Sequence, residues 1–404
     1  MAQDATTHEL PTRRDFVKGG GTIVGGGLLA GCAGDDDPDT TDANGSYNPD
    51  TTDANSSYTV TMAPVGEVTF DSVPESAFVV DAQYADMAVA LGHGEAVNSL
   101  FTPEFFSKTL NKFYDRLDGV NSDWTGLPDP LNRGMPKELF YELDSDVHFV
   151  DPAWISTRDE WNESDITEIE QNIGPWMANR YSGQHNEPPE EYRDTYQYYT
   201  LWELFEKISH VFQEPARYDA LATIHTDLLS TIQSRLPPKD ERPTVARVTL
   251  EEDSFYVYHL NDPGFQMADT RPLGANDPFA ELSFEREWGT LGYEAMLEAD
   301  PDIILHLWGL SPGFNVPDTI ETIKSDPVGR QLSAIQNDHF YASGTRRQGP
   351  ITNFFQLEMT AKQLYPEQFG EWPGYVVGES YPDFPADEQL FDRQRVADII
   401  NGEF

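Results

Sequence analysis

Short apolar runs along this chain alternate with amphipathic stretches, and the two periods are easily separated. "AFVV" (77–80) has strand character and is followed by "YADMAVALG" (84–92), a helical pattern ending at a glycine. "PKELFYELDSD" (136–146) places Leu139, Phe140 and Leu143 on one helical face behind a leading proline, then passes into the strand "VHFV" (147–150). "DITEIEQNIG" repeats the helical pattern and leads into a further strand, "WMANRY" (176–181). From about Asp194 the pattern reads as almost continuously helical, and 216–236 is a long amphipathic stretch with no breaker before Pro237 and Pro238. Strand character returns at 244–250 and 254–259. "GTLGYEAMLEADPDIILHLWG" (289–309) then repeats the helix, acidic turn and apolar strand of 136–150. "HFYASG" (339–344) reads as a last strand and 349–365 as a final helix. This alternation predicts an α/β protein of parallel layers, with two similar lobes joined by one long helix.

The first 57 residues follow neither pattern. The apolar run between Gly19 and Gly31 is about a dozen residues rich in glycine, too short for a membrane span of roughly 20 residues. Arg13 and Arg14 precede it and Cys32 follows it, the layout of an export signal. The Thr12–Lys18 stretch resembles a twin-arginine signal, and Leu29-Ala30-Gly31-Cys32 a lipoprotein box in which the cysteine becomes a lipid anchor. A lone cysteine forms no internal disulfide. Residues 33–57 hold almost no apolar side chain and carry "PDTTDANGSY" and "PDTTDANSSY" in tandem, which predicts an unfolded stalk. The expected organisation is a signal (1–32), an acidic stalk (33–57), an N-terminal lobe (58–213), an interdomain helix and linker (214–240) and a C-terminal lobe (241–404). Asn44, Asn55 and Asn162 lie in glycosylation sequons.

Charge narrows the partners. Seventy acidic against 26 basic residues give a formal charge of −44, spread along the chain. Nucleic acid is excluded as a partner, because phosphates would be repelled. Uniform acidity suits a surface that stays soluble where concentrated salt screens self-repulsion, which points to a halophilic archaeon as the source. No calcium-binding loop pattern occurs.

In open parallel sheets a ligand lies beyond the carboxyl ends of the strands. That rule nominates Asp81, Gln83 and Tyr84 after the first strand, Asp151 and Trp154 after "VHFV", Trp308 after "IILHL", and Arg346 and Arg347 after "HFYASGT". Tyr256, Tyr258 and His259 lie on or just after 254–259, and Arg133 is a candidate by position before a helix. Aromatic rings and arginine forks suit a large anionic or oxygen-rich ligand. The nine histidines form no metal-binding spacing; His148 and His306 sit on equivalent strands and are expected in the lobe cores. Tyr198 and Tyr199, adjacent on a helix, diverge by about 100 degrees and are expected to pack in the core rather than to ligate iron. No resident metal or cofactor is expected. G-x-S-x-G, H-E-x-x-H and P-loop patterns are absent, leaving an exported hydrolase with an unfamiliar constellation as the enzymatic alternative.

"ELFYELDSDVHFVD", "YEAMLEADPDIILHLWG" and "FVVDAQYADMAVALG" carry a resemblance. From about Tyr58 to Gly370 the chain resembles the periplasmic-binding-protein family that serves ABC importers of iron(III)-siderophores, cobalamin and haem. The helix–turn–strand signature occurs once per lobe, with Ser145 replacing the usual proline in the first copy. The resemblance implies two Rossmann-like lobes, a rigid interdomain helix (class III architecture) and a ligand cleft between the lobes. It implies a monomeric binding protein rather than an enzyme, tethered to the membrane by its lipid anchor, which captures an iron(III) chelate and delivers it to an ABC permease with its ATPase. Cobalamin or haem is the alternative ligand. By the same signature, Glu138 and Glu294 occupy the positions where relatives present one acidic residue per lobe to permease arginines.

Overall fold

The computed structural model describes residues 57–404 except positions 133, 252, 285 and 286. Expectations for Arg13, Arg14, Cys32, Asn44, Asn55 and Arg133 lie outside the described residues.

The first half opens with a hairpin of β1 (Tyr58–Met62) and β2 (Gly66–Phe70), whose Tyr58 and Phe70 rings stack at 5.5 Å. Then follow β3 (Ala77–Val79), α1 (Ala82–Ala90), α2 (Pro103–Tyr114), α3 (Lys137–Leu143), β4 (Val147–Phe149), the single turn α4 (Pro152–Ile155), α5 (Glu163–Asn172) and α6 (Leu201–Val211). β3 and β4 pair in parallel, and single parallel bridges add Val97 beside Ala77 and Trp176 beside His148. The strand expected over 176–181 is thus reduced to one bridging residue. Helix expected from Asp194 begins only at Leu201, because Thr200 caps it: its hydroxyl accepts from Glu203 N while the Glu203 carboxylate accepts from Thr200 N. Tyr198 is accordingly not a core residue; it is exposed on the preceding loop, stacked on His185 at 4.0 Å.

Helix α7 (Pro215–Arg235) is the long connector, starting at a proline and ending one residue before Leu236 leads into Pro237. The second half comprises β5 (Val245–Glu251), β6 (Ser254–Tyr258), β7 (Gly289–Leu291), α8 (Tyr293–Ala299), β8 (Ile303–His306), α9 (Val316–Ser325), the short α10 (Ser333–Gln336), β9 (Phe340–Ala342), α11 (Pro350–Leu364), the single turn α12 (Pro366–Phe369) and α13 (Arg393–Ile400). Its sheet runs β7-β6-β5-β8-β9. β5, β8 and β9 are parallel as expected, but β6 and β7 are antiparallel. Two residues separate Glu251 from Ser254, too few for a crossover, so these strands must form a hairpin. Nor does α11 end the fold: α12 and α13 follow, and α13 packs on α7.

The repeated signature has a concrete structural content. Asp144 and Asp300 close α3 and α8 in the left-handed conformation, at φ 44 and 35 degrees. Two residues on, the Asp146 carboxylate accepts from Glu75 N, Ser76 N and the Ser76 hydroxyl just before β3, and Asp302 accepts from Thr244 N just before β5. Each copy therefore pins its strand to the neighbouring parallel strand. His148 and His306 are buried within these strands, and burial lowers both pKa values to about 4.

Helix α11 is buried along its whole length and packs on α1, α2, α6, α7 and α12. Most of its polar side chains find partners, and from several directions. Thr352 donates to Asp86 on α1, Lys362 to the Phe369 carbonyl, and Gln363 to the Ala342 carbonyl. Glu358, fully buried, accepts from the Tyr381 hydroxyl (3.0 Å), Leu390 N (2.7 Å) and the Arg393 guanidinium (2.7 Å). Arg393→Ala would leave that carboxylate without its cation, and should lower unfolding free energy by about 3–5 kcal/mol in guanidinium denaturation.

Candidate functional site

The cleft is built where strand ends of the two halves face each other. Beyond β3 stands Asp81; beyond β4, Asp151 and Trp154 on α4; beyond the Trp176 bridge, Arg180. From the second half come Tyr256 and Tyr258 on β6, the 264–267 turn, the loop before β7, and Arg346 and Arg347 after β9. Three contiguous cavities lie along these residues, the first lined by the second half alone and the other two by both halves. The largest, about 820 Å³, is lined by Tyr256, Tyr258, Phe284, Trp288 and Arg346 among others. The second, about 620 Å³, shares Phe284, Trp288 and Arg346 and adds His259, Met267, Gln266 and Glu287. The third, about 160 Å³, shares Gln184, Gln266 and Glu287 and reaches Asp81, Trp154, Arg180 and Arg347.

Asp81 and Asp151 occupy equivalent places after parallel strands, yet their carboxylates do different things. Asp151 holds backbone: it accepts from Ala153 N (2.8 Å) and Arg180 N (2.7 Å), and from the Tyr196 hydroxyl (2.5 Å). Burial raises its pKa to about 6 against the pull of those donors. Asp81 heads α1 without capping it, and its two oxygens pair with Arg180 and Arg347. Arg180 also lies over the Trp154 ring at 4.3 Å, with Arg158 at 4.5 Å from the same ring. Arg346 pairs with Glu287 at 2.5 Å and stands 5.4 Å from the Tyr258 ring. Burial lowers the Arg347 pKa to about 10.

Second-half walls rest on a fully buried pair, Arg247 with Asp269, both guanidinium nitrogens at 3.1 Å from the carboxylate. Gln348 adds a donor to Asp269 at 2.9 Å, so the 266–269 segment and the loop carrying Arg346 and Arg347 share one anchor. Opposite, Asn179 organises the 179–184 segment, donating to the Ala63 and Gln197 carbonyls and accepting from Ser182. The halves meet where Gly264 lies against the backbone of Gly183 and Gln184; a Cβ on Gly264 would collide with the Gly183 carbonyl oxygen, so only glycine fits.

Residues 165–346 match the family model described as periplasmic binding protein. The chain is similar to solved structures of that architecture. Helicobacter pylori CeuE, in its nickel–histidine complex, is 14% identical, with 78% of this chain and 90% of that chain covered at a TM-score of 0.53. A periplasmic binding protein from Veillonella parvula is 18% identical, with 76% and 97% covered, at 0.51. The iron uptake ABC transporter substrate-binding protein PiuA of Streptococcus pneumoniae is 15% identical, with 75% and 99% covered, at 0.50. Curated proteins provide no match. The fold is that of a periplasmic binding protein, class III.

In this periplasmic-binding-protein fold, Trp154, Tyr256, His259, Arg346 and Arg347 line the cleft. His259 stacks on Phe284 at 4.3 Å and lies 3.6 Å from Asp277. Besides Asp151, which is buried and lines none of the cavities, two nominated residues lie elsewhere. Tyr84 is buried on α1, stacked on Phe149 at 5.5 Å, its hydroxyl accepting from Asn179 N at 2.8 Å, because the helix starts at Ala82 and turns it into the core. Trp308 adopts φ 67 degrees and packs against Phe105 and Phe106 of α2. Glu138 and Glu294 are exposed in the first turns of α3 and α8. Asn162 caps α5, its side-chain oxygen accepting from Ser164 N and Asp165 N. Among the described residues no group of three or more potential ligands forms a metal site.

Sequence reasoning did not find Arg180, Gln184, Gln266, Glu287 or Trp288. Arg180 was within reach of the strand-end rule, since it follows the Trp176 bridge by four residues. The others sit in loops with no periodic signal.

The Asp151 carboxyl binds its proton more tightly folded, at about 6, than its ordinary value of 3.8. Its contribution to stability is therefore greatest below about pH 4 and is lost as pH rises through 6. In urea denaturation between about pH 4 and 6, wild type should lose stability relative to Asp151→Asn as pH increases; parallel curves would refute the assignment.

Proposed function

We propose that this chain is an extracytoplasmic solute-binding protein that captures an iron(III) chelate in the cleft and hands it to an ABC importer. The observation that carries the reading is the cleft itself: aromatic walls and arginines at the strand ends of two α/β halves joined by one 21-residue helix. A large, oxygen-rich ligand fits such walls, with ring faces giving contact area and guanidiniums giving fixed donors. The similarity to PiuA, described as an iron uptake substrate-binding protein, supports the ligand class. The connecting helix limits closure to a modest movement, and no covalent step belongs to the cycle.

Trp154 and Trp288 line the cavities, so intrinsic fluorescence reads occupancy directly. Titration with ferric hydroxamate, catecholate and citrate complexes, cobalamin, haem and bare metal ions should give saturable quenching at micromolar or lower concentration for at least one ferric chelate. Quenching by none of the ferric chelates would defeat the ligand assignment.

Delivery in this reading uses Glu138 and Glu294, whose equivalent exposed placement on α3 and α8 offers a two-point contact for permease arginines. Arg13 and Arg14 direct export of the folded protein, Cys32 carries the lipid that holds it on the outer membrane face, and the acidic surface suits a salt-rich cytoplasm and medium. Reversing both glutamates to lysine should abolish chelate uptake by cells while leaving the fluorescence titration unchanged. Cys32→Ser should release the protein into the medium with its affinity intact.

A further inference from the structure

Among the described residues, each arginine that lines the cleft is already paired with a carboxylate of the cleft. Arg180 from the first half and Arg347 from the second share Asp81, and Arg346 holds Glu287. The Asp81 carboxylate does not cap the helix it heads, whereas its counterpart Asp151 is committed to backbone and to Tyr196. Asp81 is 5% exposed, so it is not a casual surface partner.

From this arrangement we infer that Asp81 and Glu287 are specificity-determining residues that make the cleft select a ferric chelate of little net negative charge, of the tris-hydroxamate kind, over a polyanionic one. The inference rests on the iron-chelate reading above and narrows it. A trianionic chelate that reaches these guanidiniums must also come beside the carboxylates paired with them. Each carboxylate then faces an incoming like charge in a partly dry site. A neutral chelate meets no such repulsion. It packs its organic shell on Tyr256, Phe284 and Trp288, beside three guanidiniums whose charge two carboxylates largely offset. Discrimination by built-in repulsion is a general route to specificity, since it penalises the wrong ligand without strengthening the right one. The formal charge of −44 adds a background repulsion of the same sign.

The test is a fluorescence titration, at one fixed potassium chloride concentration, of wild type, Asp81→Asn, Glu287→Gln and Asp81→Glu. The probes are ferrichrome (a neutral ferric tris-hydroxamate), ferric enterobactin (a trianionic ferric tris-catecholate) and iron-free citrate. Wild type should bind ferrichrome at least tenfold more tightly than ferric enterobactin. The preference should shrink tenfold or more in Asp81→Asn and in Glu287→Gln and persist in Asp81→Glu, and both neutralised variants should gain affinity for citrate. Glu287→Gln guards against a folding defect at Asp81, because Glu287 is one-third exposed at its loop. Tighter binding of ferric enterobactin by wild type overturns the inference, as does an unchanged preference in both neutralised variants. Should wild type bind no ferric chelate, the iron reading fails on its own. The citrate arm then decides, a gain in the neutralised variants upholding the role of the carboxylates and no gain removing it.

Discussion

Burying α11 on every side deprives its polar side chains of water, so they depend on neighbours for their hydrogen bonds, and those neighbours come from both halves of the chain. Thr352 ties it to Asp86 on α1, which also accepts from the Tyr114 hydroxyl of α2. Gln356 ties it to Thr345 and Gln348 in the loop that carries Arg346 and Arg347. Glu358 ties it to Arg393 and Tyr381 near the chain's end. A helix satisfied in this way holds the arginine loop at a set height above the first half, and the meeting of Arg347 with Asp81 follows.

That meeting sits in tension with the chain's overall charge. In a protein with 44 more acidic than basic residues, arginines are scarce, and concentrating Arg180, Arg346 and Arg347 around one cleft is a placement against the background field. Two of the three positive charges are offset locally by Asp81 and Glu287. The outcome is a polar but nearly balanced floor beneath aromatic walls.

Much of the architecture was legible in the linear pattern because it depends on neighbours in sequence. The long helix between Pro215 and Pro237, the strands over 77–79, 147–149, 245–251 and 303–306, and the two copies of the signature all have local causes. Asp146 and Asp302 are the clearest case, since each ends a short helix–turn unit and reaches one strand away. The site was legible only as a rule about strand ends. That rule places Trp154, Tyr256, His259, Arg346 and Arg347 on the cleft but misplaces Tyr84, because α1 begins two residues before it and rotates it inward. It misplaces Trp308 as well, whose left-handed backbone turns its ring toward α2.

By itself, then, the sequence determined the parallel strands, the two signature units, where the connector lies and which loops stand at the ends of strands, because periodicity, caps and prolines act over a few residues. Only the tertiary structure decided that Asp81 faces Arg347, 266 positions away, that Gly264 meets Gly183, and that the loop with Glu287 and Trp288 closes the wall. Those contacts join residues whose local patterns are indifferent to one another. Their geometry is set by how two sheets and a buried helix pack, which no short window of sequence encodes.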